Sequence, residues 1–465
     1  MLSFLLFVAV FAVLLIEGRA MLILIAGKSL PHVLSWALGF PLGAFLNVLV
    51  FFVFTLFNIP LTLWFLFIAH SVLLAVLGLF LQRLLQRGKI LAAEAEKERD
   101  LLEVHLRPPL RKILFCVLLL SLAAKVGYGV SHAVVLPSFY FDSLSQWNMR
   151  AHVSFVDRSI AFDATEERGI SKPQYPILLH SLQILFMLPQ GEWKDMIANS
   201  ATFLLTLTLY LGLFFLLKAR SGSLAALFGL TLFLMVPLAT MHLVQGYGDL
   251  PTLLTILLSA FFFVRFTENR RRAELLVSAL FIAASSWVKQ EGLFFGVLPW
   301  LIVTTSWFLL KGGNRKNDVL FGYVPAIVLG ALWSVFLFTK GLPIGAHSGD
   351  FNFALHPEAI GPALQAMFSM GSFGIFFFVL PVVLILVLMR SLPKWKTFLS
   401  PLLILIWAVL TFLETLVVYL FTPNVNFLLN GQTFHRTMLI PLSLLILGLL
   451  LAASKILTRD NPVGS

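Results

Sequence analysis

The chain has 465 residues, of which 59% are hydrophobic and only 12% charged, with 46 phenylalanines and a mean hydropathy of +0.94. A soluble domain of this length has no way to keep so much apolar surface from water, whereas helices of about 20 residues match a bilayer core about 30 Å thick. A polytopic, all-α transmembrane bundle follows, and water-soluble classes are excluded. The formal charge of +11 does not point to nucleic acid, because the basic residues fall in short clusters between apolar runs, the pattern that sets membrane orientation.

Apolar runs predict about thirteen spans, near 2–26, 36–57, 61–83, 113–136, 196–218, 223–243, 248–266, 273–288, 291–310, 318–339, 373–390, 398–421 and 437–457. The first is interrupted by Glu17-Gly18-Arg19, which suggests a hairpin or an interfacial bend; it is not read as a cleaved signal, since its start lacks basic residues. Residues 1–85 thus form an N-terminal group of about three spans. Residues 86–112 carry Glu94, Glu96, Lys97, Glu98, Arg99, Asp100 and Glu103 and read as a charged cytoplasmic helix ending at Pro108-Pro109. Residues 113–465 are the body. Its lone cysteine, Cys116, excludes a disulfide within the chain. Lys125 falls well inside a span, where an unpaired charge is costly.

Most of the basic residues lie in the stretches Arg83 to Lys112, Lys218 to Arg220, Arg265 to Arg272, Lys311 to Lys316, Arg390 to Lys396 and Lys455 to Arg459. These share one side if the spans alternate, and the positive-inside rule makes that side cytoplasmic. The other side collects the unusual polar residues: a long loop over 137–195, a short one at Gln245 to Asp249, a tight turn at Lys289-Gln290-Glu291, a glycine- and aromatic-rich loop over 340–371, and a last loop from Thr422 to Arg436. Ionisable groups at several helix ends on one face imply a shared polar cavity. The loop over 340–371 is a candidate lid.

The long loop opens with Tyr140-Phe141-Asp142 and runs through Gln146-Trp147-Asn148-Met149-Arg150. Helical spacing puts Asp142, Gln146 and Arg150 on one face, and Tyr140, Phe141, Trp147, Phe155 and Phe162 make the segment amphipathic enough to lie along the bilayer surface. Asp142 is then either an N-cap of that helix or a reactive acid. A helical restart is expected at Pro176. Lys289 and Glu291 occupy a turn too short to be solvated and should point into the cavity, as an ion pair or as functional groups. Asp249 has several roles open to it: a divalent metal site with Asp142, orientation of an acceptor, an ion pair with Lys289, or a helix cap. His435, His347, His356 and His180 lack metal-ligand spacing and read as polar wall residues. Arg436 is either a snorkelling anchor or a two-point grip for an anion. No Walker loop, Cys/His cluster, GxSxG elbow or Rossmann fingerprint occurs.

Taken in order, Asp142 with Trp147, Arg150 and Ala151, then Tyr175-Pro176, Tyr247-Gly248-Asp249-Leu250-Pro251, Lys289-Gln290-Glu291-Gly292, and Thr422-Pro423 with His435-Arg436 resemble the motifs of the bacterial GT-C glycosyltransferases, including the aminoarabinose transferases and protein O-mannosyltransferases. The resemblance covers about residues 113 to 457. It implies an inverting enzyme that takes a sugar from a polyprenyl-phosphate carrier on the outer face of a bacterial inner membrane and passes it to a lipid, glycan or protein acceptor. Under it Asp142 is the general base, Lys172, Lys289 and Arg436 hold the donor phosphate, and Asp249, Glu291, Trp147, Arg150, Tyr175, Tyr247 and His435 support the sugar or acceptor. Lys172-Pro173 is similar to a donor-handling Lys-Pro element of that family, but Gln174 and Tyr175 stand where a second proline is expected. The competing reading is a translocase for lipid-linked sugars, which needs polar groups near midspan; Lys125 is the one deep cation the sequence offers.

Overall fold

A computed structural model of the chain describes residues 2–27, 30–86, 107–162, 170, 172–311, 316–343 and 353–460. Among these the secondary structure is entirely helical. In chain order the helices are α1 (Leu2–Ala26), α2 (His32–Ala37), α3 (Gly39–Leu56), α4 (Leu63–Gln86), α5 (Pro108–Val130), α6 (Asn148–Asp157), α7 (Leu178–Met187), α8 (Asp195–Ser221), α9 (Ser223–Met235), α10 (Pro237–Gln245), α11 (Asp249–Asn269), α12 (Arg272–Val288), α13 (Leu298–Lys311), α14 (Lys316–Thr339), α15 (Ile360–Met367), α16 (Met370–Phe373), α17 (Phe376–Ser391), α18 (Trp395–Phe421), α19 (Val425–Leu429) and α20 (Phe434–Asp460). Ten helical segments are long and apolar enough to cross a membrane, or eleven if α9 and α10, bent by 81° at Val236, count as one. The molecule is an integral, multi-pass helical bundle. The charged connector over 87–106, Asp163 to Arg168, and the part of the candidate lid over 344–352 that contains His347 lie outside the described residues.

The first span is one continuous helix rather than a hairpin. Gly18 lets α1 and α3 touch: a Cβ there would lie 1.9 Å from the Gly39 carbonyl oxygen and 2.4 Å from the Gly43 nitrogen, the small-residue contact that membrane helices favour. Glu17 is buried and pairs with His70 of α4, Nδ1 to Oε1 at 2.9 Å. The charge that suggested a break therefore sits inside the three-helix group.

That group is packed onto the body. Asn47 donates to Ser181 Oγ at 3.2 Å, and Phe52 meets Trp287 and Phe336 edge-on at 5.2 and 5.4 Å. The two faces of the bundle separate by chemistry. On one, Arg220 and Lys455 grip Glu268 at 2.7 and 2.8 Å, Arg265 pairs with Glu274 at 3.0 Å and Arg272 with Asp318 at 2.5 Å. These bonds tie the ends of α8, α20, α11, α12 and α14 together on the basic face. The opposite face carries the long loop, with the start of α1 and the α3–α4 turn beside it: Gln190 donates to the Ser3 carbonyl at 3.2 Å and the Leu61 amide to the Arg158 carbonyl at 2.7 Å.

Candidate active site

The non-basic face brings Asp142, Asp249, Lys289, Glu291 and Arg436 into one chain of ion pairs. Asp249 is the first residue of α11, after Gly248, yet its carboxylate caps nothing. Oδ1 accepts from Lys289 Nζ at 2.9 Å and from Arg436 Nε at 3.3 Å, while Oδ2 accepts from Arg436 Nη2 at 2.6 Å. The remaining guanidinium nitrogen, Nη1, donates to Asp142 Oδ2 at 2.5 Å. Lys289 Nζ reaches Glu291 Oε1 at 2.8 Å. Four elements converge here: the loop before α6, the start of α11, the α12–α13 turn and the start of α20.

Asp142 does not act as a helix cap. It precedes a wide π-helical turn over Ser143–Trp147 and makes no side-chain capping bond. Arg436 engages its Oδ2, and Oδ1 accepts no hydrogen bond among the described residues. The Arg436 guanidinium also lies over the Tyr247 ring, 4.8 Å from its centroid, so a stacked face and three hydrogen bonds fix its plane.

Lys289 is 6% exposed. Burial alone would depress its ammonium, but the Asp249 and Glu291 carboxylates outweigh that and raise its pKa. Its ammonium is shared between these two acids, 2.9 Å from Asp249 Oδ1 and 2.8 Å from Glu291 Oε1. The turn is tight because Gly292 sits against α12, where a Cβ would lie 2.2 Å from the Ser285 carbonyl. Gly248 is equally constrained: a Cβ would fall 2.9 Å from the Trp147 ring and 3.0 Å from Lys289 Cγ.

The aromatic and loop residues form the support. Trp147 is fully buried and stacks on Tyr175 at 5.5 Å. Tyr175, whose hydroxyl pKa is raised by burial first and by the Glu291 charge next, belongs to a loop clamped through the Gln174 carbonyl, which accepts from Gln290 Nε2 at 3.2 Å and Trp333 Nε1 at 3.0 Å. Lys172 starts that loop; its backbone carbonyl accepts from the Tyr175 amide at 3.2 Å, and partial burial lowers its ammonium pKa. His435 stays half-buried beside Arg436 and takes no part in the ion-pair chain.

Arg150 is placed differently from expectation. Its side chain donates to the Ala161 carbonyl at 2.9 Å and to the Tyr175 carbonyl at 2.5 Å, and it is 1% exposed. It ties loop backbone together and does not join Asp142. Of the aromatics in this segment, Trp147 and Phe155 are buried in the body and Phe141 is strongly exposed. Lys125 has a partner, Thr240 Oγ1 at 2.8 Å.

A divalent metal between Asp142 and Asp249 does not fit these residues. The Arg436 guanidinium bridges the two carboxylates, and no cluster of three or more metal-ligating side chains occurs among the described residues. Sequence reading also missed His242, whose Nδ1 lies 3.7 Å from Asp249 Oδ2, and the neutral network of Asn148, Gln183 and Asn199. The signal for His242 was the Val236-Pro237 break inside an otherwise apolar run. Comparison of the chain with family models, curated proteins and solved structures returns no match.

Proposed function

We propose that the protein is a membrane glycosyltransferase that moves a sugar from a polyprenyl-phosphate carrier to an acceptor hydroxyl. About thirteen crossings, with the basic face in the cytoplasm, put the reaction on the outer side of a bacterial inner membrane. The observation that carries the reading is the joining of Asp142 to Asp249 through Arg436: a carboxylate with one open oxygen beside an immobilised cation. A sugar hydroxyl is a poor nucleophile at neutral pH and gains from a positioned base, while the departing phosphate gains from a fixed cation in a partly dry site.

In this mechanism the acceptor oxygen forms its bond to the anomeric carbon as its proton passes to Asp142 Oδ1. The bond from that carbon to the phosphate oxygen breaks on the opposite side, and its electron pair leaves with the polyprenyl phosphate. Asp249 holds two nitrogens of Arg436, so Nη1 is the exchangeable donor. A donor phosphate oxygen that takes Nη1 leaves Asp142 without its cation and free to accept a proton. Lys172 supplies the second phosphate contact. Lys289 and Glu291 position Asp249.

Purified protein with a radiolabelled polyprenyl-phosphate sugar tests this. The Asp142→Asn variant is expected to bind donor but to transfer about 10²- to 10⁴-fold more slowly. Transfer at the wild-type rate removes Asp142 as the base. Movement of intact donor across proteoliposomes without a new glycosidic bond replaces the enzyme with a translocase.

A further inference from the structure

We infer that two copies of this chain pair inside the membrane, through Glu414 of α18 on one copy and Lys125 of α5 on the other. The inference is independent of the proposed reaction, since neither residue belongs to the ion-pair chain of the site.

Both residues are charges carried by helices that face lipid. The α5 span and the hairpin of α17 and α18 are among the least buried of the candidate spans, and α18 exposes Ile406, Val409, Leu413 and Val417 along one stripe. Glu414 lies at the edge of that stripe and is partly buried. Its Oε2 has no hydrogen-bond partner, and its carboxylate no basic one, among the described residues. Lys125 is also partly buried. Its Nζ donates to Thr240 Oγ1 at 2.8 Å, beside the α9–α10 bend, but a hydroxyl carries no charge to offset the ammonium. An ion left without a counter-charge in hydrocarbon is costly, and such groups meet one another or water.

The two charges lie at similar depth. Both helices start beside basic residues, α5 at Arg111 and Lys112 and α18 at Lys394 and Lys396, so both end on the opposite face. The α5 helix runs on through a π turn to Val135 and α18 ends at Phe421. At about 1.5 Å per residue, Lys125 is about 15 Å and Glu414 about 10 Å below those ends.

Packing puts them on one flank. The α10 helix touches both α5 and α16, and α17 touches α18, which leaves α17 between the two charges. Along this flank α17 presents Val382, Ile385, Leu386 and Met389 outward at helical spacing. A two-fold pairing sets α17 against its copy and makes the contact between Glu414 and Lys125 twice. Lipid is as apolar as the α17 stripe, so the stripe alone gives no preference for protein over lipid, and the charges supply it. A second copy brings each missing counter-charge at the depth where it is needed.

Single-molecule photobleaching of the full-length chain, labelled at its C-terminus and diluted in phosphatidylcholine liposomes, reads the number of copies in each particle. The wild type is expected to bleach in two steps. Glu414→Lys alone and Lys125→Glu alone each set like charges against one another and should bleach in one step, whereas an equimolar mixture of the two makes both contacts complementary and restores the pair. Glu414→Gln keeps the shape of the side chain and should weaken pairing about tenfold; it decides the matter if a charge reversal fails to fold. A wild type that bleaches in one step, the result for a flank covered by lipid or by a different protein, overturns the inference. So does a reversed chain that pairs with itself, a mixture that stays single, or Glu414→Gln pairing as tightly as the wild type.

Discussion

Arg436 meets Asp249 in a two-point contact, Nε to Oδ1 at 3.3 Å and Nη2 to Oδ2 at 2.6 Å, across 187 residues of sequence. The pairing fixes the start of α20 against the start of α11 and leaves one guanidinium nitrogen for Asp142.

Removing the Asp249 charge should therefore unsettle two cations at once. Asp249→Asn is expected to cost about 3 kcal/mol, the scale for breaking a buried pair, seen as a lower Tm in detergent. Adding Arg436→Gln should cost less than it does alone, because the guanidinium has already lost its partner. Strict additivity in the double-mutant cycle would mean that the two residues do not hold each other.

Donor affinity should depend on pH through Lys172. Its ammonium pKa lies below the ordinary lysine value because of partial burial, so binding that needs the cation is lost as pH rises, starting below about 10.4. The sign for stability is opposite: a depressed lysine prefers the neutral form in the fold, so stability from this group rises with pH. Lys289 does not blur the window, since a raised ammonium pKa keeps its contribution intact until pH exceeds the unfolded value. Lys172→Arg should move the loss of affinity to higher pH; an unchanged profile takes Lys172 out of the phosphate site.

Arg150→Met strips donors from the Ala161 and Tyr175 carbonyls. Each buried carbonyl left unpaired costs about 1–3 kcal/mol, so the Tm should drop clearly, while donor affinity stays within a factor of about three. A stable variant that no longer binds donor would restore Arg150 to the residues that support the sugar.

Gly248→Ala places a methyl group against the Trp147 ring and the Lys289 stem. Overpacking of this kind costs about 1–3 kcal/mol, and here it pushes Lys289 off Asp249. Transfer should fall by about tenfold or more with donor still bound; wild-type activity would show that the Trp147–Lys289 spacing does not matter.

The members of the ion-pair chain were legible in the sequence because charge is rare in it, and each one interrupts an apolar run at a helix end on the same face. What each residue bonds was not legible. Regular helical spacing puts Arg150 with Asp142, but the π turn over Ser143–Trp147 inserts extra rotation, and Arg150 turns inward to loop carbonyls. Lys125 looked unpaired because its partner, Thr240, is brought to it by the 81° bend after Met235, a tertiary event no hydropathy window reports. Glu17 misled for the same reason, since the residue that satisfies it, His70, is two helices away.

The seating of Phe52 between Trp287 and Phe336, beside the Trp333 that clamps Gln174, makes α3 part of the body's own interior. If it detached, an aromatic surface would be opened and the loop bearing Tyr175 would lose its backing. α3 and the loop before α7 thus share one aromatic interior with α12 and α14.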